Sequence, residues 1–202
     1  AQRRFDVPVA GRAGHAGTSP MPLRHDALAA AADCVLAAEA VAREAASDLV
    51  ATVGRMQVLP GATNVIPGKV TFSLDVRCGR DDLRDAGAGE ILRRFRRIAG
   101  ERGVHVEALQ VQDLAASPCD PALTKLLEQA VAAQGIAPRR LVSGAGHDAM
   151  VMAALCPTAM LFVRCDGGIS HNPAERASAA DAGVAVAAML DFIERLGATR
   201  GN

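Results

Sequence analysis

The sequence predicts a mixed fold in two parts: a ferredoxin-like β-α-β-β-α-β unit of α+β type over residues 1–114, then an α/β segment over residues 115–202. Three observations predict it. Lys69 to Arg77 alternates strictly, with Val70, Phe72, Leu74 and Val76 on one face, as a half-buried strand does. Two long helical patterns separate strand-like runs. After Ala115-Ala116-Ser117-Pro118, a plausible linker, the pattern changes to helices alternating with runs that read as buried strands.

In chain order, Arg4 to Ala10 reads as the first strand and Gly11 to Pro22 as a Gly/Ser/Thr/Pro loop. Asp26 to Ala46 is an Ala-rich helix. Leu49 to Leu59 reads as a second strand with Pro60-Gly61 as its turn, and Lys69 to Arg77 as the third. Asp81 to Gly103 carries Leu83, Ile91, Leu92, Phe95 and Ile98 at helical spacing, with Gly87 and Gly89 weakening its first turns. Val104 to Val111 is the fourth strand. Beyond the linker, Pro121 to Gly135 is a helix, Arg139 to Val142 a short strand and Asp148 to Leu155 a short helix. Thr158 to Val163 is an apolar strand, a Gly-rich loop runs to Pro173, and Ala179 to Leu196 is the closing helix. Two or three strands are too few for a complete α/β layer, so this part is expected to lack a partner layer, its Ala- and Val-rich surfaces exposed, mispacked or covered by another copy.

The chain has 202 residues, half of them hydrophobic and 22% charged, enough to bury a core and too apolar for disorder. Its formal net charge is zero, which argues against nucleic acid or an anionic membrane as the main partner. Aromatics are 2%, with no Trp or Tyr, so base-stacking platforms and sugar shelves have little material. Five cysteines, an odd number without C-x-x-C spacing, argue against a disulfide framework and for a reducing cytoplasm. No apolar run reaches the length of a membrane span, and the first residues lack the apolar core of a signal peptide. Starting without Met, directly in a strand-like run, the chain reads as a processed or excised segment.

Three loops concentrate the polar residues. In Gly14 to Met21, His15 is flanked by small residues that let it approach a ligand, or it caps the next helix. In Thr63 to Gly68, Asn64 makes an Asx-turn or presents its amide to a ligand. Arg77, at the end of the following strand, is a carboxylate-binding fork, a solvated charge or an ion-pair partner near Asp75. The third group joins Ser143 to Ala149 with Gly167 to Glu175. Each presents a His, His147 and His171, from a Gly-rich loop after a predicted strand, where α/β sheets place ligands. One His cannot hold a metal, and such loops are also ordinary tight turns. There is no G-x-S-x-G elbow or P-loop, so serine hydrolase and NTPase readings have no support.

Taken in order, GHAGTSPM (14–21), RHDA (24–27), TNVIPGKVTFSLDVR (63–77), SGAGHDA (143–149) and GISHNPAE (168–175) resemble the M20 metallopeptidase superfamily. They are similar in particular to its amidohydrolase branch, which includes allantoate amidohydrolase, N-carbamoyl-L-amino acid hydrolase and β-ureidopropionase. The resemblance implies that residues 1–114 are a lid and dimerisation domain and residues 115–202 the C-terminal part of a catalytic domain. It implies a homodimer through the lid, a small ureido or carbamoyl substrate, and two divalent metals (Zn, Mn, Ni or Co) whose bound water attacks the C–N amide carbon. His15 would stabilise the oxyanion across the dimer. Asn64 and Arg77 would hold the substrate, Arg77 by its carboxylate. His147 would face the substrate, His171 would be a metal ligand and Glu175 a helix-start residue.

The departure from the pattern is that no His-x-Asp segment followed by Gly-Gly-x-x-Asp-Gly, no Glu-Glu pair before a helix and no His-Ile-Glu-Gln-Gly-like run occurs. With one metal ligand, the chain by itself is expected to bind no dimetal centre and to be inactive. The alternative is a non-catalytic dimerisation or small-molecule-binding fragment. Allantoate and N-carbamoyl amino acids share a carboxylate and a ureido group, so the residues leave the substrate open.

Overall fold

The computed structural model describes residues 1–200, which fall into two units, Ala1–Ala116 and Ser117–Asn202. The first unit runs β1 (Gln2–Ala10), β2 (Gly14–His15), α1 (Ala27–Glu44), β3 (Val50–Thr52), β4 (Met56–Leu59), β5 (Val65–Ile66), β6 (Lys69–Arg77), α2 (Asp81–Arg102), β7 (His105–Val106) and β8 (Leu109–Leu114). β1 and β6 lie side by side over their full length, from Gln2↔Arg77 to Ala10↔Lys69. β3 and β4 flank β6, and β7 and β8 flank β1, all antiparallel. Taking β3/β4 and β7/β8 as two interrupted strands, the order is second-third-first-fourth, the ferredoxin-like arrangement.

One sheet face builds the core. Phe5, Val7 and Val9 of β1 and Val70, Phe72, Leu74 and Val76 of β6 are buried beneath the two helices. α1 offers Ala27, Ala30, Ala31, Cys34 and Ala38, small side chains that let the helix lie close to its neighbours; α2 offers Ile91, Phe95 and Ile98. Phe72 and Phe95 meet edge to face at 5.8 Å. Asp26 caps α1, accepting from the N–H groups of Leu28 and Ala29.

The two long strands read from the sequence at 49–59 and 104–111 are each interrupted. Between Thr52↔Asp75 and Met56↔Phe72 one side advances four residues and the other three, so Val53-Gly54-Arg55 forms a bulge. On the other flank, the Pro8 carbonyl accepts from Glu107 N–H, but Pro8 has no N–H to return, and the ladder breaks between β7 and β8. The predicted loop 11–22 contains β2, paired with β5 in a separate two-stranded ladder.

The second unit contains α3 (Pro121–Ala133), α4 (Asp148–Met152) and α5 (Ala179–Arg200). The strands expected at 139–142 and 158–163 are not formed. A strand must satisfy its backbone N–H and C=O groups in a ladder, and among the described residues no strand lies beside either run; Asp120 N–H donates to the Thr158 carbonyl at 2.8 Å without a ladder following from it. Leu141, Val142, Phe162 and Val163 are exposed, as are Val186, Leu190 and Ile193 of α5. Among the described residues of this unit, Leu127, Ala130 and Ala188 are buried.

Candidate functional site

The β2–β5 ladder brings two of the sequence candidates together. His15 is opposite Val65, Gly14 opposite Ile66, and Ala16 N–H donates to the Asn64 carbonyl at 2.9 Å. His15, on β2, and Asn64, in the turn directly before β5, are therefore neighbours. The His15 ring is exposed, and its Nδ1 accepts from Gly17 N–H at 3.0 Å. A nitrogen that accepts an N–H carries no proton, so the neutral ring has its proton on Nε2. That leaves Nε2–H as the donor of an exposed ring. Gly17 has little room for change: a Cβ there would lie 3.3 Å from the ring.

The RHDA motif supports this loop. Arg24 donates from Nε to the Ser19 carbonyl at 2.9 Å and from Nη2 to the Ala16 carbonyl at 2.6 Å. The His25 Nδ1 lies 2.7 Å from the Gly103 carbonyl, and Asp26 caps α1. Sequence reading singled out this motif for its resemblance and assigned Arg24 no role. The signal available was an Arg two residues before the helix cap Asp26, at the end of the loop that carries His15.

Arg77 stands on the sheet face away from the helices and grips Asp75, with Nε to Oδ1 at 3.0 Å and Nη2 to Oδ2 at 2.9 Å. Asp75 also accepts from Gln2 Nε2 and Arg4 Nε. Partial burial works to raise the Asp75 carboxyl, but these donors, Arg77 foremost, outweigh it and leave it below the usual carboxylate range. The same bond raises the Arg77 guanidinium. The ion-pair reading is what the geometry holds, with the fork turned to a carboxylate of its own sheet. A second network, at the end of the core, surrounds Arg84, which is 4% exposed and pairs with Asp81, Asp85 and Asp113.

In the second unit, His147 precedes α4 and shares a 2.6 Å hydrogen bond between Nε2 and Ser143 Oγ; Phe162 meets its ring edge-on at 6.0 Å. His171 is exposed and adopts a left-handed backbone, φ 55°, uncommon for a residue with a Cβ. Its N–H donates to Glu175 Oε2 at 2.9 Å. Glu175 lies before α5, which starts at Ala179, so it is not a helix-start residue. It closes the turn that holds His171, beside Asn172, whose Oδ1 accepts from Ala174 N–H. Sequence reading missed Ser143 as well, although its spacing of four from His147 puts a hydroxyl within reach.

Among the described residues no group of three or more His, Cys, Asp and Glu is placed to hold a metal. A two-metal centre does not fit the donors present. No helix among them is long and apolar enough to cross a membrane.

Comparison with known proteins adds the family. Peptidase family M20/M25/M40 matches residues 11–195. An allantoate deiminase of Arabidopsis thaliana is 38% identical over 96% of this chain and 42% of its own length. An N-carbamoyl-L-amino acid amidohydrolase of Geobacillus stearothermophilus is 38% identical over 93% of this chain and 46% of its own. Among solved structures, a hydantoinase/carbamoylase family amidase from Burkholderia ambifaria superposes with a TM-score of 0.87 at 36% identity, over 96% of this chain and 46% of that one. The chain thus spans less than half the length of these relatives.

Proposed function

The chain belongs to peptidase family M20/M25/M40, and from that premise we propose that it supplies the lid and the C-terminal catalytic portion of an amidohydrolase of ureido or carbamoyl substrates. The observation that carries this reading is the His15 loop. A ureido carbonyl gains negative charge on oxygen when water adds to its carbon. The Nε2–H of an exposed ring, held in one tautomer by Gly17, suits that oxygen. Asn64, in the turn before β5, positions the substrate. Arg77 exchanges the Asp75 carboxylate for that of the substrate, and His147 is a further residue proposed to face the substrate. Two relatives bear on the choice of substrate, one named for allantoate and one for N-carbamoyl-L-amino acids. Both substrates join a carboxylate to a ureido group.

His171 is proposed as one ligand of a two-metal set (Zn, Mn, Ni or Co). Its other members are not among the described residues, and no step of the reaction is assigned to the metals. A homodimer through the first unit is proposed because its sheet edges expose Val50, Met56 and Leu59 on one side and Leu109, Val111 and Leu114 on the other. Light scattering should give twice the monomer mass, and a monomer at high concentration would contradict it. A cytoplasmic setting suits the exposed free Cys119 and Cys156.

The test of the substrate class is an assay of the polypeptide that carries this segment, loaded with Mn²⁺ or Zn²⁺, against allantoate and N-carbamoyl-L-amino acids. Turnover of at least one is expected. Arg77→Ala should raise KM for these substrates about tenfold or more, since a charge-assisted fork contributes about 1.5–3 kcal/mol. No turnover of either class, with peptides hydrolysed instead, would contradict the reading.

A further inference from the structure

The loop that carries His15 is closed by one side chain from outside it. Its stem is fixed independently by backbone bonds: Gly11 N–H to the Gly68 carbonyl, Arg12 N–H to that of His25 and Ala27 N–H to that of Pro67. The tip has ties of its own. Ser19 N–H reaches the His15 carbonyl at 3.2 Å, Ala16 N–H reaches the Asn64 carbonyl, and Gly17 N–H reaches the ring. Arg24 adds two charge-assisted bonds, to the carbonyls of Ala16 and Ser19. These carbonyls bracket Gly17, the residue whose N–H selects the His15 tautomer. We propose that Arg24 is a positioning residue for the reaction: by gripping the loop on both sides of Gly17, it holds that N–H on Nδ1 and keeps Nε2–H as the donor.

The bond to Ala16 fixes the peptide unit that joins Ala16 to Gly17, because its carbonyl and the Gly17 N–H belong to the same plane. A guanidinium reaches two carbonyls as a rigid fork, which a flexible ammonium does not reproduce. Losing Arg24 frees that plane to rotate, and the ring then samples both tautomers.

The consequence for turnover rests on the proposed role of His15; the effect on the ring does not. The experiment has two arms accordingly. In the first, the ¹⁵N-labelled chain is observed by long-range ¹H–¹⁵N correlation in alkaline buffer. The native protein should show His15 as a single Nε2–H tautomer, and Arg24→Met a mixture. Arg24→Lys should also give a mixture, and it serves if Arg24→Met does not fold. An unchanged His15 spectrum in the folded variant overturns the proposal. In the second arm, Arg24→Met in the active, metal-loaded polypeptide should lower kcat about 10- to 100-fold, as a displaced catalytic group does, with KM nearly unchanged. A kcat unchanged by Arg24→Met, where His15→Ala lowers it, also overturns the proposal. If His15→Ala itself leaves kcat intact, the enzyme reading fails, while the ring spectra still decide the role of Arg24.

Discussion

His15, Asn64, Arg77, His147 and His171 are all legible in the sequence as polar residues in loops or at a strand end, but what each one touches is not. Sequence spacing cannot show that Gly17 N–H meets His15 Nδ1, since that depends on how the loop turns. For Arg77 the spacing of two puts Asp75 on the same face and so offers the ion pair, but that the fork goes to this carboxylate rather than to a ligand or to solvent is decided by the geometry. Glu175 illustrates the limit: an acidic residue before a helix reads as a helix-start group, yet its carboxylate reaches back to the His171 N–H. Glu175→Ala should therefore leave a left-handed residue without that tie and lower metal affinity of the parent polypeptide about 10- to 100-fold, measured by titration with Zn²⁺; unchanged affinity would remove His171 from the ligand set or Glu175 from its support. Cys34 is fully buried in the core, and burial pushes its thiol from 9.0 up to about 12. The folded state therefore holds the thiol proton more tightly than the unfolded chain does. The stability this contributes is complete below pH 9 and is lost as pH rises toward 12. In the native protein at pH 8.5, iodoacetamide should label Cys119 and Cys156 and spare Cys34, as peptide mapping would show.

At the scale of elements, the helices and the two central strands follow from periodicity, because their patterns are long and one-sided. The short elements do not. β2 and β5 are two residues each, stabilised by pairing with one another rather than by their own sequence. The bulge at Val53-Gly54-Arg55 is a count made against β6 and needs the partner strand to be seen. Pro8 is the exception, since its missing N–H marks the break in the β7/β8 flank. The two glycines of α2 look alike in sequence and differ in place. A Cβ on Gly87 would lie 2.5 Å from Leu49 Cδ2, whereas nothing lies within 4 Å of one on Gly89. Gly89→Ala should stabilise the protein by up to about 1 kcal/mol through helix propensity, whereas Gly87→Ala should destabilise it by about 1 kcal/mol or more through overpacking. Urea midpoints of the two variants should move in opposite directions.

For the whole molecule, the two units differ in how much they bury. The first has a continuous core between sheet and helices, while the second exposes apolar side chains along α5 and around residues 141–169. Its expected strands were legible as short runs, that at 158–163 an apolar one, but a run becomes a strand only with a neighbour. Hydrogen exchange should accordingly find the slowest amides in β1, β6, α1 and α2, and faster exchange through residues 139–178; uniform protection would contradict the contrast in burial. The family follows from both sequence and shape, whereas the activity of the whole protein rests on the proposed site, and above all on His15. The most direct measurement is the kcat of His15→Ala in the metal-loaded polypeptide carrying this segment, with allantoate or an N-carbamoyl-L-amino acid as substrate. Loss of an oxyanion donor should lower kcat about 10²- to 10³-fold with little change in KM; a kcat equal to that of the unsubstituted protein would contradict the account.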